Sequence, residues 1–199
     1  MKSKGFTLIE LAVVLAIIAI LAAILTPIVT GYLDQARVAR AQADTRTVAD
    51  AIKLYQRDTG RWPVYNSAGD FSSNTVAGGV GRTLIGGNAG SNPADGLVMW
   101  TVGGVIATTS LETYLNGNLT NVSTTNAFPK AGFRGPYIAS LDADPWGNKY
   151  ILTAFNLAGT ANHAFVISAG PNGLMDTTLI QAGLQPFAVG SDDIVSVIR

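Results

Sequence analysis

Near its N-terminus the chain carries one long, uninterrupted apolar segment. The 23 residues from Leu11 to Leu33 contain no charged side chain, and Glu10 and Asp34 flank them. As a helix, such a run is long enough to cross the ~30 Å hydrocarbon core of a bilayer, which takes about 20 residues. The pattern therefore predicts a helix whose transmembrane part covers about residues 8–30.

The helical pattern continues beyond the apolar segment, but there only one face is apolar. Apolar or small residues recur every three or four positions among charged ones, namely Val38, Ala41, Thr45, Val48, Ile52 and Tyr55. Gly60 and Pro63 predict the end of the helix. We therefore predict one long N-terminal helix over residues 6–60. Pro27 lies inside it and predicts a kink or a locally melted stretch near residues 23–27.

The remaining residues, 61–199, are expected to form a globular head. Three segments have the composition of short strands, namely Lys149–Phe155, His163–Ser168 and Asp193–Ile198. Their short connections favour antiparallel pairing. The stretch 64–134 is rich in Gly, Ser, Asn and Thr and reads as a variable insertion, in which we expect a strand within 97–107 and a helical turn at 110–115 capped by Ser110. The predicted fold class is α+β, with the long helix packed on a small antiparallel sheet.

Charge and composition exclude several classes of function. The chain has 13 Lys and Arg against 13 Asp and Glu, so it lacks the basic excess of a nucleic-acid-binding protein. It has no Cys, which rules out disulfides, thiolate nucleophiles and zinc ribbons. The lone His163 has no sequence partner for nucleophilic catalysis. We therefore expect that the protein is not an enzyme and has no catalytic residues.

Glu10 is a charge in an unfavourable place, because an unpaired carboxylate in an apolar segment costs several kcal/mol. Lys2 and Lys4 are candidate partners in the intact chain. If the chain is cut after Gly5, the new amine of Phe6 becomes a candidate as well. Glu10 snorkelling to the membrane interface remains an alternative. A secretory signal peptide is another reading of the whole segment, but the apolar run is too long and lacks a small-x-small cleavage site.

The sequence Lys-Gly-Phe-Thr-Leu-Ile-Glu, residues 4–10, resembles the class III signal of type IV pilins and of type II secretion pseudopilins. The resemblance implies that residues 1–5 are a leader and that a prepilin peptidase cleaves between Gly5 and Phe6. It further implies N-methylation of Phe6 and a role for Glu10 in recruiting and registering the incoming subunit. Pro27 matches the helix-breaking proline of the family and is assigned to assembly.

Two stretches of the head are similar to the major, G-type pseudopilins of type II secretion. They are Gly135-Pro-Tyr-Ile and Asp144-Pro-Trp-Gly-Asn-Lys-Tyr, and Arg61-Trp-Pro resembles the helix exit of that family. The resemblance implies a pilin-like fold and a structural subunit that polymerises into a periplasmic pseudopilus driving export of folded proteins. The implied partners are copies of itself, the prepilin peptidase, an inner-membrane assembly platform and minor pseudopilins. The implied location is the inner membrane, single-pass with a periplasmic head, and then a periplasmic filament or the cell surface.

The C-terminal region contains a set of oxygen ligands that suits calcium. Calcium prefers six to eight oxygens from carboxylates, amides and carbonyls on loops. Asn172, Asp176, Asp192 and Asp193 supply such groups, and the pseudopilin resemblance implies calcium in this loop. The alternative is a pair of solvent-exposed turns whose aspartates bind nothing.

Two further functions stay open at this level. A type IV pilus major pilin, for adhesion, motility or DNA uptake, fits the same leader, and only a DNA-uptake pilin has a nucleic-acid partner. An enzyme or binding protein merely anchored by residues 11–33 is the third alternative. For that protein the placement of Gly5, Phe6 and Glu10 would have no significance.

Overall fold

The computed structural model describes residues 5–60, 62–63, 84–87, 90–95, 111–116, 132–153, 156–157, 162–178 and 187–199. The helices are α1 (Leu8–Thr59) and α2 (Leu111–Leu115). The strands are β1 (Leu84–Gly86), β2 (Ala94–Asp95), β3 (Tyr150–Leu152), β4 (Phe165–Ser168), β5 (Leu174–Met175) and β6 (Ile194–Val197). The chain divides into two compact units, residues 1–37 and 38–199. The predicted pilin-like α+β fold class, with a long apolar helix and a small antiparallel sheet, is confirmed.

Helix α1 is 52 residues long and has a defined C-terminal end. Gly60 follows it with a φ of 70°, a left-handed conformation that glycine adopts without steric cost. The Gly60 amide donates to the Gln56 carbonyl at 2.8 Å and so closes the last turn. The predicted helix stop and the structure therefore agree, and both follow from the same residue.

The main sheet has four strands in the order β1-β3-β4-β6, and all of its pairs are antiparallel. The three predicted strand segments contain β3, β4 and β6, so these expectations are confirmed. β1 adds a fourth strand from the insertion, with Ile85 opposite Ile151. A separate parallel pair joins β2 to β5. The predicted strand at 97–107 and the Ser110 cap of α2 lie outside the described residues.

Both faces of the main sheet are buried, each by a different cluster. One face packs against the second half of α1, where Val48, Ile52 and Tyr55 meet Leu152 and Val166. The opposite face carries Ile151, Phe165, Ile167, Ala169 and Met175, with Phe187 and Val195 packed against them. Successive residues of a strand point to opposite faces, which is why β3 and β4 are buried at every position rather than at alternate ones.

Candidate functional site

The residues of the predicted cleavage site precede the first helical residue, Leu8. Phe6 is 89% exposed, and a Cβ atom added to Gly5 would meet nothing within 4 Å. Gly5 also lacks the positive φ that would require glycine. Within the described structure neither crowding nor backbone conformation therefore demands glycine at position 5. If a peptidase cuts after Gly5, the requirement for glycine lies in the fit of the peptidase active site.

Glu10 forms hydrogen bonds that the sequence analysis did not anticipate. Its Oε2 accepts from the Thr7 backbone amide at 2.9 Å and from the Thr7 hydroxyl at 2.8 Å, and the Glu10 amide donates to Thr7 Oγ1 at 3.3 Å. This reciprocal arrangement is a capping box, in which Thr7 and Glu10 satisfy the free amides at the start of α1. The Thr-x-x-Glu spacing was the signal that could have revealed it.

The capping box leaves one oxygen of Glu10 available. Oε2 receives both hydrogen bonds from Thr7, and Oε1 receives none among the described residues. The carboxylate is thus partly stabilised inside its own chain while it keeps an acceptor for a further donor. The proposed roles of Lys2, Lys4 and the Phe6 amine as partners stay predictions, because residues 1–4 lie outside the described part of the chain.

The first half of α1 is an apolar surface. Every large apolar side chain from Phe6 to Leu33 is about half exposed or more, and the most hydropathic 18-residue window of the helix has a mean hydropathy of 3.1 with none of it buried. The helix is long and apolar enough to span a membrane. Exposed apolar surface of this extent marks a site of contact with lipid or with another protein.

Pro27 lies within the continuous helix. Of the two predicted alternatives near residues 23–27, the locally melted stretch is wrong for this structure, because these residues are α-helical, and the kink stays a prediction. Two hydroxyls next to Pro27 bond to backbone carbonyls, with Thr26 donating to Ala22 at 2.7 Å and Thr30 donating to Pro27 at 3.0 Å. Both are ordinary bonds from a hydroxyl to the carbonyl three or four residues earlier in the helix, and neither reaches the Ala23 carbonyl, whose helical donor proline removes. The assembly role of Pro27 stays a prediction.

The second half of α1 is joined to the sheet by polar contacts within the apolar core. The Tyr150 hydroxyl donates to Asp44 Oδ2 at 2.9 Å, and Ser196 Oγ donates to Thr45 Oγ1 at 2.9 Å. Arg40 lies beside Asp44, with Nε 3.5 Å from the same oxygen. Burial, followed by the hydrogen bond to Asp44, raises the pKa of Tyr150 far above its usual value. Tyr150 therefore stays a neutral donor at all physiological pH values.

The turn at residues 144–148, the Asp144 turn, is organised by one buried carboxylate. Asp144 is 4% exposed and accepts hydrogen bonds from the amides of Trp146 (3.0 Å) and Asn148 (2.7 Å) and from the Ser168 hydroxyl (2.7 Å). The aspartate thus fixes the turn and attaches it to β4. Gly147 in the turn has a φ of 88°, which glycine adopts without strain.

The four predicted calcium ligands lie in one place, the acidic loop, which we define as residues 170–178 and 190–193. The Asn172 amide donates to Asp192 Oδ2 at 2.9 Å, and Asn172 Nδ2 donates to Asp176 Oδ2 at 3.2 Å. The Ser191 hydroxyl lies 2.9 Å from Asp176 Oδ2 and 3.0 Å from Asp192 Oδ1. Asp192 and Asp176 therefore converge on the same small polar groups.

Asp193 lies deeper in the same loop. Its Oδ2 accepts from the amides of Asp176 (2.9 Å) and Thr177 (2.6 Å) and from the Thr177 hydroxyl (2.7 Å). Its Oδ1 is buried and has no hydrogen-bond partner among the described residues, although such atoms are normally paired. Burial raises the pKa of Asp193 despite these hydrogen bonds, which means that the buried site disfavours the ionised form of the carboxyl group.

Among the described residues, no Lys, Arg or His side chain forms an ion pair with the acidic loop. The same part of the chain holds no group of three or more His, Cys, Asp or Glu side chains placed so that they could hold a metal ion. Oxygen ligands of the types that calcium takes, from carboxylate, amide and hydroxyl groups, nevertheless lie together in this loop, and one of the carboxylate oxygens is the buried Asp193 Oδ1.

Comparison with known proteins adds independent information. Residues 1–26 match the family described as the prokaryotic N-terminal methylation motif. The chain is 26% identical to the type II secretion system core protein G of Escherichia coli (strain K12) over 176 residues, 88% of this chain and 87% of that protein. It is 39% identical to core protein G of Pseudomonas aeruginosa over 62 residues, 31% of this chain and 44% of that protein. It is 42% identical to the type IV major pilin protein PilE of Neisseria gonorrhoeae over 76 residues, 38% of this chain and 46% of the pilin.

These similarities differ in extent. The match to the Escherichia coli protein covers most of both chains, whereas the chain spans less than half of the other two relatives. No solved structure gives a significant match to the chain. The methylation motif and the exposed apolar helix coincide at the same N-terminal residues and together indicate a membrane-anchored protein.

Proposed function

We propose that this chain belongs to the family of pilin-like proteins with a prepilin methylation motif and that it is the major pseudopilin of a type II secretion system. The observation that carries the proposal is the pairing of two matches. The N-terminal motif is accompanied by similarity to a core protein G along 87% of that protein's length, whereas the pilin match covers 46% of the pilin. The role is structural, and the proposal assigns no catalytic step.

Processing at the N-terminus comes first in this function. A prepilin peptidase cleaves between Gly5 and Phe6 and methylates the new amine, and the exposed, non-helical position of Phe6 supports access to that bond. Cleavage removes Lys2 and Lys4 together with their positive charges. The amine of Phe6 then becomes the cation nearest in sequence to Glu10.

Assembly then buries the apolar half of α1 against copies of itself. The exposed surface from Phe6 to Leu33 is stored in the inner membrane and later packed in a filament core, so lipid contacts are exchanged for helix contacts. Glu10 Oε1 receives the methylated amine of a neighbouring subunit, while the Thr7 capping box holds Oε2. A heterologous contact of this kind does not close into a ring and therefore builds an open helical filament.

The cellular setting follows from the same proposal. The head faces the periplasm and the filament grows there, and an inner-membrane assembly platform and minor pseudopilins are the expected partners. Glu10→Ala tests the proposal in the native host, with Asp34→Ala as the matched control, because Asp34 is an exposed acid at the other end of the apolar segment. We expect cleavage to proceed in both variants, with filaments and secretion lost only in Glu10→Ala. Normal secretion by Glu10→Ala would contradict the proposal.

We further propose that the acidic loop binds calcium. Asn172, Asp176, Asp192 and Asp193 would hold the ion, which would supply the positive charge that the loop lacks. Binding to the folded state alone stabilises by ~2.7 kcal/mol at 100 times the dissociation constant. For a head of this size that corresponds to a rise in Tm of roughly 5–10 °C.

Titration calorimetry with calcium and thermal unfolding in EGTA test this site. Asp192→Ala should lose the calcium-dependent rise in Tm, whereas the control Asp142→Ala, an exposed acid outside the loop, should keep it. Equal Tm values of the wild-type chain in calcium and in EGTA would refute the calcium proposal and leave the filament proposal standing.

The second candidate function, a type IV pilus major pilin, is favoured by the 42% identity to PilE. Filament location separates the two functions. If the chain is a pseudopilin, wild-type cells carry no surface fibres and deletion of the gene abolishes secretion of folded proteins. If it is a pilin, deletion removes long surface fibres and leaves secretion intact.

A further inference from the structure

Two neighbouring described segments of the insertion, residues 84–87 and 90–95, contact three regions of the head in succession. We call these two segments the strap. At its start, β1 pairs with β3 at the edge of the main sheet. In its middle, Ser91 forms a parallel bridge with Asn148 of the Asp144 turn. At its end, β2 pairs with β5 of the acidic loop. The strap therefore connects the sheet, the Asp144 turn and the acidic loop.

The contact between the strap and the Asp144 turn is close and made by the backbone. The Ser91 amide donates to the Gly147 carbonyl at 2.8 Å, and the Lys149 amide donates to the Ser91 carbonyl at 2.9 Å. A Cβ on Gly90 would lie 3.0 Å from Lys149 Cγ and 3.1 Å from Ala143 Cβ. Glycine at position 90 thus permits an approach that a larger residue would oppose. Because Asp144 attaches this turn to β4, the middle of the strap is fixed to the core.

The far end of the strap reaches the candidate cation ligands. The Ala94 amide donates to the Gly173 carbonyl at 2.9 Å, and Ala94 and Asp95 lie opposite Leu174 and Met175. These two residues of β5 lie between Asn172 and Asp176 in the sequence, so the strap pairs with the backbone that carries both ligands. A cation and the strap would therefore restrain the same short segment.

We propose that the strap holds the acidic loop closed in the absence of a cation, so that calcium tightens a loop which is already ordered. The part concerning calcium rests on the calcium proposal above. If the ion alone closed the loop, calcium binding would have to order the loop in addition to forming the bonds between the ion and its ligands. Here part of that ordering is supplied by β2, which raises the apparent affinity of the loop for the ion.

The thermodynamic consequence is a reciprocal coupling between the strap and the ion. If breaking the strap lowers the fraction of molecules with a closed loop, the apparent affinity for calcium falls by the same factor as that fraction, and by symmetry calcium stabilises the closed arrangement that the strap favours. The calcium-dependent rise in Tm then becomes smaller at a given calcium concentration, because part of the binding free energy is spent on restoring the order that the strap no longer provides.

Ala94→Pro tests the proposal, because proline removes the amide that donates to Gly173 while the small exposed side chain contributes little else. Ala94→Ser is the matched control, since it keeps the amide. Ser91→Pro and Ser91→Ala form a second pair at the middle of the strap, where proline removes the amide that donates to Gly147. All variants are made in the full chain in detergent micelles.

The measurement is hydrogen exchange of the peptide covering residues 172–178, with calcium and with EGTA. The amides of Asp176 and Thr177 report on loop closure because both donate to Asp193 Oδ2. In EGTA we expect them to exchange roughly tenfold faster in Ala94→Pro than in wild type, equivalent to ~1.4 kcal/mol, and unchanged in Ala94→Ser. The amides of β4 should stay protected, which shows that the head remains folded.

The outcomes separate the two proposals. Faster exchange in the proline variants with equal rates in calcium and EGTA supports the strap and refutes the calcium site. If the amides of residues 172–178 exchange in EGTA no faster in the two proline variants than in wild type, the strap proposal is overturned, whatever the effect of calcium. If Ala94→Pro alone loses β4 protection, Ser91→Pro decides by the same criteria.

Discussion

The hydrogen bond between Tyr150 and Asp44 offers a direct test of how α1 is attached to the head. Tyr150 is 1% exposed, and the side chain of Asp44 is 31% exposed. The Tyr150 hydroxyl lies 2.9 Å from Asp44 Oδ2. A hydrogen bond to a charged group contributes ~1.5–3 kcal/mol. In Tyr150→Phe the carboxylate keeps contact with water and with Arg40, so we expect a loss at the lower end, ~1–2 kcal/mol.

Asp44→Ala should cost more than Tyr150→Phe, because it leaves a buried hydroxyl without its acceptor, a penalty of ~1–3 kcal/mol. The double variant should then be less destabilised than the sum of the two single variants by ~1 kcal/mol. Asp50→Ala is the matched control on the same helix, since its carboxylate is 74% exposed and lies 4.0 Å from Lys53. Pairs of that kind contribute little, so the control should stay within ~0.5 kcal/mol of wild type.

The assay is urea unfolding of the full chain in micelles, followed by tryptophan fluorescence of the head. Strict additivity of Tyr150→Phe and Asp44→Ala would refute the reasoning, because it would mean that the two groups do not interact in solution. The pH dependence has a defined sign. Since the pKa of Tyr150 is raised on folding, its contribution is complete below the usual tyrosine pKa of about 10 and is lost as the pH rises beyond it.

Three further variants test the core, the helix start and one backbone position. Ile52→Ala removes a fully buried side chain and should destabilise the head by ~2–5 kcal/mol in the same assay. The control Leu54→Ala, at a site 39% exposed, should cost less than ~1 kcal/mol. Equal costs would contradict the packing described. Thr7→Val removes the hydroxyl of the capping box and should slow filament assembly less than Glu10→Ala without changing cleavage, as read by filament yield and gel mobility. Gly132→Ala combines a φ of 88° with a Cβ that would clash with the Asp58 carbonyl oxygen, so Tm should fall by several degrees, and an unchanged Tm would be inconsistent with that geometry.

The sequence predicts those parts of the fold that have a strong local signal. The apolar run, the amphipathic repeat and Gly60 are sufficient for α1, and the dense apolar composition of β3 and β4 follows from burial on both faces. The capping box also had a local signal, in Thr7 and Glu10, but the interpretation of Glu10 as an unpaired charge concealed it.

Other features could not be predicted because they depend on contacts between distant residues. β2 and β5 have two residues each, too few for any periodicity, and they pair only because the strap places them together. The hydrogen bond from Ser196 to Thr45 joins positions 151 residues apart, and neither residue type signals a partner. The convergence of Asp176 and Asp192 on Ser191 is likewise a product of the tertiary fold.

The central claim, a processed and polymerising filament subunit, is tested most directly by the intact mass of the subunit recovered from sheared filaments. The account predicts a mass equal to residues 6–199 plus one methyl group. A chain that begins at Met1 in assembled filaments, or one cut beyond residue 25, would contradict it.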